Sequence, residues 1–338
     1  MSSARGNPKI TLEDLAKLAG VSIATVSRAL NDHPIISKAT KQRIWALARE
    51  QGYSFRDHMP ASPIGAEGSI AIVLPLVQSL PLPLWHPFFL ELLANIGEAA
   101  RSYDCDFTVS HVTPSRYDDL LTAVTTSRAS GVIFLGQGGL HEDFNRLATT
   151  SARFVVWGAQ FPGQIYCSIG SDNLQGGRRA TSHLVRLGRK RIVFLGGTDP
   201  EAMQRRRGYL DALAEGGLEA DPQLIVPVEF DLDSAEALIG RLLRSRVTFD
   251  AIFAASDLMA LGAMRALRRE GISVPKDVSI VGYDDMMLAR LSTPALTTIR
   301  QDTKEAGRLL VSQILEPHSG YFPERLSTEL IVRESCGA

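Results

Sequence analysis

Cysteine, long apolar runs and aromatic residues are all scarce in this chain of 338 residues. The cysteines at 105, 167 and 336 are far apart and form no CxxC pair, which excludes a disulfide framework and a zinc site of the usual spacing. No uninterrupted apolar run approaches the roughly 18 residues that a membrane-spanning helix needs. The opening stretch MSSARGNPKI lacks the apolar segment of a secretory signal, so we expect a cytoplasmic protein without a structural metal.

Catalytic motifs are missing as well. The seven histidines are scattered, and neither the HExxH of zinc proteases nor the GxSxG of serine hydrolases occurs. The stretch GQGG at 136–139 lacks the Lys-Ser/Thr of a phosphate-binding loop, and we interpret it as a loop after a strand. We therefore expect neither an enzyme nor a bound cofactor.

Charge is distributed unevenly along the chain. Residues 1–60 carry 9 Lys/Arg against 5 Asp/Glu, whereas the remainder carries 27 against 32. A basic N-terminal unit suits contact with nucleic-acid phosphates, although a surplus of this size is also compatible with an ordinary solvated surface. The length itself exceeds one ordinary domain and predicts two or three.

The stretch TLEDLAKLAGVSIATVSRALND, residues 11–32, predicts two short helices on either side of a glycine turn. Thr11 starts the first helix in a T-x-x-D capping pattern, and Ser22 caps the second. Ser37 caps a third helix. Three helices around a small core predict a helix-turn-helix domain over residues 9–53, although the same spacing also arises in an ordinary helical hairpin.

The second of these helices is expected to expose small and hydroxylated side chains and one arginine. Arg28 can bridge guanine O6 and N7 in the major groove, and Ile23 or Ala24 can contact a thymine methyl group. Hydroxyl groups and Lys41 would contact phosphates and fix the register. The predicted DNA-binding residues are Thr11, Ser22, Ile23, Ala24, Thr25, Ser27, Arg28, Asn31, Thr40 and Lys41.

A linker follows over residues 54–68, where prolines and small residues prevent a continuous helix. From residue 69 the chain alternates between short apolar runs, such as SIAIVLPL and GVIFLG, and helical stretches, and the alternation begins again at RIVFLGG. This pattern predicts an α/β core over 69–338 with two parallel-sheet lobes. We expect the first lobe at about 69–168 and 300–338, and the second at about 169–299.

Ligands of parallel sheets bind beyond the carboxyl ends of the strands, so the cleft between the lobes is the expected site. Carboxylate, guanidinium and amide groups together with aromatic rings are suited to sugars. An Asp at a strand end is more often a helix cap, as we expect for Asp172, so the argument depends on the whole set. The predicted effector-binding residues are His86, Phe88, Phe89, Trp157, Arg205, Ser256, Asp284 and Gln301.

ITLEDLAKLAGVSIATVSRALND, followed by ISKATKQRIWALAREQGY, resembles the DNA-binding head of the LacI/GalR family of bacterial transcription regulators. HPFF, QRRRGY, VGYDD and TTIRQD are similar to motifs around the effector in the periplasmic-binding-protein-like (type I) core of that family. The resemblance implies double-stranded operator DNA, a small sugar effector, a homodimer, and repression released by the sugar. It also implies effector contacts from Phe88 or Phe89, Arg205, Asp284 and Gln301.

The sequence departs from that family at several positions. The linker lacks the Asn-x-x-Ala-Arg-x-Leu pattern of a hinge helix, and His86, Ser256 and Gly158 replace residues that are common around the effector. The final stretch ELIVRESCGA carries no heptad repeat, which favours a dimer over a tetramer. Two alternatives stay open: an activator or corepressor-type regulator, and a transport-type sugar-binding protein, which would need a signal peptide and no helix-turn-helix.

Overall fold

The computed structural model describes residues 11–30, 36–50, 69–74, 76–77, 80–81, 86–127, 129–150, 152–316 and 324–338. The chain divides into two units, an N-terminal head of residues 1–65 and a core of residues 66–338. Asn31 and the predicted linker at 54–68 lie outside the described residues.

The head contains three helices: α1 (Leu12–Ala19), α2 (Ile23–Leu30) and α3 (Lys38–Glu50). Each begins at the hydroxyl residue that the sequence indicates, since Thr11, Ser22 and Ser37 all accept a hydrogen bond from the backbone N–H three residues later. At Thr11 the capping box is complete, because the carboxylate of Asp14 accepts the Thr11 N–H at 2.9 Å. Gly20 ends α1 at φ +64°, a conformation that glycine adopts without strain.

The helices of the head enclose a small apolar core. Val26 and Ala29 of α2 are fully buried, as is Ile44 of α3. Ala16 and Ala19 of α1 are also buried, and their short side chains leave room for the partner helices. The predicted inward face of α2 is thus confirmed at Val26 and Ala29.

The core is built from alternating strands and helices. Its strands are β1 (Ser69–Val73), β2 (Leu76–Val77), β3 (Leu80–Pro81), β4 (Asp106–Val109), β5 (Gly131–Leu135), β6 (Phe154–Trp157), β7 (Ser168–Ser171), β8 (Ile192–Gly196), β9 (Ile225–Pro227), β10 (Ala251–Ala254), β11 (Ser279–Asp284), β12 (Thr297–Arg300), β13 (Glu324–Leu326) and β14 (Glu329–Ile331). Its helices are α4 (Pro87–Ser102), α5 (Tyr117–Thr126), α6 (His141–Ala148), α7 (Asn173–Arg186), α8 (Pro200–Glu215), α9 (Leu232–Arg244), α10 (Asp257–Arg269), α11 (Met287–Leu291) and α12 (Thr303–Leu315), with a 3-10 turn at Pro222–Leu224.

Twelve of the described strands form two six-stranded sheets, one in each lobe, and β2 and β3 pair separately as an antiparallel hairpin. The first sheet has the order β13-β7-β6-β5-β1-β4 with every pair parallel, and the second has the order β14-β12-β11-β10-β8-β9. Strands β5 and β10 are buried along their whole length, as expected for parallel strands covered by helices on both faces. The predicted α/β fold with two parallel-sheet lobes is confirmed.

The chain passes between the lobes three times, and the last passage differs from our prediction. Helix α12 and strand β13 belong to the first lobe, but β14 pairs antiparallel with β12 in the second sheet, with Ile331 opposite Thr298. The hydroxyl of Ser335 then donates to the carbonyl of Ile280 at 2.7 Å. The assignment of residues 329–338 to the first lobe is therefore wrong, because the final strand completes the open edge of the second sheet. Strand β7, at the boundary we expected near 168, belongs to the first sheet.

Candidate functional sites

A cavity of about 660 Å³ lies between the two lobes, at the carboxyl ends of strands from both sheets. Its volume is typical of a small-molecule site. Of the eight predicted effector-binding residues, seven line it: His86, Phe88, Phe89, Trp157, Arg205, Asp284 and Gln301.

Asp284 ends strand β11 with a strained backbone, at φ +117°, a region that non-glycine residues rarely adopt. Its side chain is buried and accepts a hydrogen bond from the amide of Gln301 at 2.7 Å. Burial raises the pKa of Asp284 to about 7, and the charge of Arg205 and the bond from Gln301 oppose that rise. A carboxyl group with this pKa accepts a hydrogen bond from a ligand hydroxyl when it is ionised and can donate one when it is protonated.

Arg205 projects from α8 and is held on three sides. Its Nε donates to the side-chain oxygen of Asn173 at 2.8 Å, and its Nη1 donates to the carbonyl of Ala255. The guanidinium carbon lies 3.7 Å from the centre of the Tyr283 ring, a cation–π contact. These contacts fix the orientation of the guanidinium at the cavity.

Ser256 is not at the cavity, which corrects the prediction. It is fully buried, and its hydroxyl accepts the N–H of Met259 at 3.2 Å, so it caps α10. The next residue, Asp257, is also fully buried and accepts from the Met286 N–H and the Thr298 hydroxyl. Burial, followed by the charge of Asp284, raises the pKa of Asp257 well above its ordinary value. Strand-end position alone did not distinguish this cap from a ligand-binding residue.

Aromatic rings form one wall of the cavity. The ring centres of Phe88 and Trp157 are 6.0 Å apart, and those of His86 and Phe89 are 5.5 Å apart. His86 is buried, and neither ring nitrogen has a hydrogen-bond partner within the described residues. Burial lowers the pKa of His86 to about 4, although the Phe230 backbone opposes the shift, so the imidazole is neutral near pH 7. A neutral imidazole has one donor nitrogen and one acceptor nitrogen.

Residues of the second lobe reach across the cleft to the loop after β6. Glu201, in the first turn of α8, accepts the Ala159 N–H at 3.2 Å, and the Gln204 amide donates to the Gln160 carbonyl at 3.1 Å. Burial, with the nearby charge of Asp199, raises the pKa of Glu201 to about 7. These two hydrogen bonds connect the lobes at a point other than the three crossovers.

Several other residues that line the cavity were not predicted from the sequence. Gln137 and His141 follow β5, Phe161 follows β6, and Asn173 begins α7. For Gln137 a signal existed, because GQGG was interpreted as a loop after a strand, which is where ligands of parallel sheets bind. Phe161 carries no such signal, since it lies four residues beyond the end of its strand.

The outward face of α2 in the head presents the residues expected for DNA contact. Ile23, Ala24 and Arg28 are exposed, with 45% of the Ile23 surface accessible. Four of the predicted residues also have a structural role in helix caps. They are Thr11, Ser22, Thr25, whose hydroxyl lies 2.9 Å from that of Ser22, and Thr40, whose hydroxyl lies 2.8 Å from that of Ser37. Ser27 of α2 and Thr40 and Lys41 of α3 are partly exposed.

The described residues contain neither a membrane-spanning helix nor a cluster of metal-ligating side chains. None of the helices there is both long and apolar enough to cross a bilayer. Within those same ranges, no three His, Cys, Asp or Glu side chains are grouped so as to hold a metal ion.

Two family models match the chain. Residues 11–54 match the bacterial regulatory proteins of the lacI family, and residues 181–336 match the periplasmic binding protein-like domain. The regulator CelR of Thermobifida fusca is 31% identical over 337 residues, covering 96% of this chain and 98% of CelR. The repressor CytR of Escherichia coli is 29% identical over 351 residues, covering 100% and 99%.

Solved structures agree with these relatives. A CelR–cellobiose complex matches with a TM-score of 0.69 and 30% identity over 97% of this chain and 100% of that one. The lac repressor dimer bound to operator and the anti-inducer ONPF matches with a TM-score of 0.68 and 25% identity over 97% and 99%. The chain therefore belongs to the LacI family of bacterial transcription regulators.

Proposed function

We propose that this regulator is a homodimeric, cytoplasmic repressor that leaves a pseudo-palindromic operator when a small sugar binds in the cleft between its lobes. The lining of that cleft carries the proposal. It combines the carboxyl group of Asp284, the guanidinium of Arg205 and the amide of Gln301 with the Trp157 and Phe88 rings. Sugar hydroxyls both donate and accept, and the apolar face of a sugar ring packs on aromatic side chains.

The positions of these groups suggest how sugar binding changes DNA binding. Asp284 and Arg205 belong to the second lobe, whereas Phe88 and Trp157 belong to the first. A sugar that contacts both sets favours one arrangement of the lobes over another, and only this difference in affinity can change the equilibrium of DNA binding. In a dimer, two copies of α2 would contact the two half-sites, with Arg28 reading a base at each.

A screen of mono- and disaccharides tests the proposal. A sugar at 100 times its dissociation constant stabilises the folded state by about 2.7 kcal/mol, which a thermal-shift assay detects easily. The sugar that shifts the unfolding temperature is then added to a complex of the dimer with operator DNA, followed by fluorescence anisotropy. Release of the DNA is expected, whereas tighter binding would identify a corepressor. A screen in which no sugar stabilises the protein would refute a carbohydrate response.

A further inference from the structure

Asn173 lies at the point where the chain first crosses from the first lobe to the second. Strand β7 of the first sheet ends at Ser171, and α7, which packs in the second lobe, begins at Asn173. Only Asp172 lies between the two elements. A change in the arrangement of two lobes is absorbed at the few residues that connect them, so side chains that hold this crossover affect such a change.

The side-chain amide of Asn173 joins this crossover to Arg205. Its Oδ1 accepts a hydrogen bond from the Arg205 Nε at 2.8 Å, and its Nδ2 donates to the Ser171 carbonyl at 3.1 Å. A guanidinium can only donate and a carbonyl can only accept, so these two partners fix the orientation of the amide. Asparagine at the start of a helix commonly bonds to nearby backbone groups, and here the additional bond goes to an arginine that lines the cavity.

All three groups are almost completely buried. The exposed fraction is 2% for Asn173, 4% for Arg205 and 4% for Ser171. Water cannot replace a hydrogen bond that is broken in such surroundings, and an unpaired buried amide is costly. A ligand that displaces the Arg205 guanidinium therefore changes its bond to Asn173 and, through the same amide, the bond to the crossover.

Close packing of α7 against α8 makes this connection stiff. A Cβ at Gly177 of α7 would lie 2.1 Å from the Arg205 carbonyl oxygen of α8, so the two backbones are in contact there. On the side of the first lobe, the Asp172 N–H donates to the Leu326 carbonyl of β13 at 2.9 Å. This bond links the first crossover to the third, which follows β13. Two of the three connections between the lobes therefore lie next to Asn173.

We propose that Asn173 couples sugar binding to release of the operator by transmitting a displacement of Arg205 to the crossover at residues 171–173. This role rests on the carbohydrate response proposed above and assigns its transmission to one side chain. Asn173 is a positioning residue, since it acts through Arg205 and the Ser171 carbonyl, and both polar groups of its amide are occupied by the protein.

The coupling factor tests this role separately from sugar affinity. It is the ratio of the operator dissociation constants with and without saturating sugar, measured by fluorescence anisotropy on the full-length protein. The operator is a duplex that the wild-type protein selects from a random pool. The sugar is whichever of glucose, galactose, cellobiose and maltose gives the largest thermal shift.

Asn173→Asp separates the two ends of the connection. A carboxylate still accepts from Arg205 but cannot donate to the Ser171 carbonyl, so the cavity end is kept and the crossover end is lost. We expect nearly unchanged sugar affinity and a coupling factor about fivefold smaller. Asn173→Ala removes both bonds and should weaken sugar binding as well as coupling. Gln175→Glu is the matched control, because it makes the same amide-to-carboxylate change two positions farther along α7.

Two results would overturn this role and leave the carbohydrate response intact. In one, both Asn173 variants release the operator at saturating sugar as completely as the wild type. In the other, Asn173→Asp loses sugar affinity but keeps its coupling factor, which would make the amide a direct ligand contact. If none of the four sugars stabilises the wild-type protein, the carbohydrate response and the coupling role fail together. Thermal unfolding of the ligand-free variants detects a loss of folding, and if Asn173→Asp does not fold, the coupling factor of Asn173→Ala decides.

Discussion

Gln301 donates a 2.7 Å hydrogen bond from its side-chain amide to the carboxyl group of Asp284. Asp284 ends a strand of the second lobe, and Gln301 lies in the crossover that leads from β12 to α12 of the first lobe. The bond therefore joins a cavity-lining group of one lobe to a segment that crosses between the lobes. A ligand hydroxyl that competes for Asp284 would act on this connection directly.

Asp284→Ala is expected to abolish the response to sugar while operator affinity stays normal. The substitution removes a cavity group of the core and changes nothing in the head. Operator binding is measured by anisotropy with and without the sugar identified by the thermal-shift screen, which should no longer shift the variant's unfolding temperature. A large fall in the melting temperature of the ligand-free variant, with sugar affinity preserved, would instead assign Asp284 a purely structural role.

The pH dependence of stability should change in Asp284→Asn. Asp284 has a pKa of about 7 when folded, above its ordinary 3.8, so between these values the folded state binds more protons and stability falls as pH rises. Each unit of difference corresponds to about 1.4 kcal/mol. The variant should therefore gain stability relative to the wild type as pH increases from 4 to 7, by a few kcal/mol.

The comparison is made by chemical denaturation of both proteins across this pH range. Glu201, whose pKa is also raised to about 7, and His86, whose pKa is lowered to about 4, contribute equally to both proteins. Their effects cancel in the difference, whereas Asp257, whose pKa the charge of Asp284 helps to raise, adds to the difference in the same direction. Parallel curves for the two proteins would show that Asp284 stays ionised in the folded state.

Asp285 should be important for stability in its own right. Its buried carboxylate accepts hydrogen bonds from Arg300 at 2.9 Å, from Arg290 at 3.4 Å and from Arg333. Its backbone has φ +60°, which Asn tolerates better than Ala. Asp285→Ala should destabilise the core by about 3 kcal/mol, since a buried ion-pair partner is lost. Asp285→Asn should cost less, and denaturant unfolding of both variants measures the difference; equal losses would show that the left-handed backbone contributes nothing.

The sequence was most informative where a local pattern determines the structure. Hydroxyl caps at Thr11, Ser22 and Ser37 and continuous apolar runs predicted the head helices and the buried strands, because capping and strand burial depend on neighbouring residues. Asp172 caps α7 as expected, accepting the Gln175 N–H at 3.0 Å. These features need no information about distant parts of the chain.

Long-range pairing was harder to predict. Strand β14 joins the second sheet because β12 has an open edge there, and nothing within residues 329–331 indicates which edge is open. Ser256 and Asp284 both end a strand, yet one caps a helix and the other faces the cavity. Phe161 reaches the cavity only through the path of its loop. In each case the outcome depends on the tertiary arrangement, which local patterns do not encode.

Arg28 and Lys41 should differ in how their loss affects DNA binding. Arg28 is exposed on α2, where it can reach a base, and its replacement by Ala should cost about 1–3 kcal/mol and relax the preference at one position per half-site. Lys41→Ala should weaken binding to all sequences and lower the salt slope by about one. Titrations with operator and random DNA at several salt concentrations distinguish the two. Equal loss for both DNAs in Arg28→Ala would contradict base reading.

Two mid-helix glycines should respond oppositely to alanine. A Cβ at Gly208 of α8 would lie 2.0 Å from the Leu174 carbonyl oxygen of α7, so Gly208→Ala must push the two helices apart at a cost of about 1–3 kcal/mol. A Cβ at Gly240 of α9 would contact only the flexible end of the Arg244 side chain, at 3.2 Å. Because alanine favours the helix over glycine, Gly240→Ala should stabilise the protein by about 0.5–1 kcal/mol.

The Gly208 substitution should also weaken sugar binding. Helix α8 carries Arg205 and α7 carries Asn173, which holds the Arg205 guanidinium at 2.8 Å. Moving α8 away from α7 would lengthen this hydrogen bond and displace the Arg205 guanidinium at the cavity. Denaturant unfolding gives the two stabilities, and calorimetric titration gives the sugar affinities, with Gly240→Ala as the helix control. If Gly208→Ala is as stable as Gly240→Ala, the close contact between the backbones of α7 and α8 does not exist in solution.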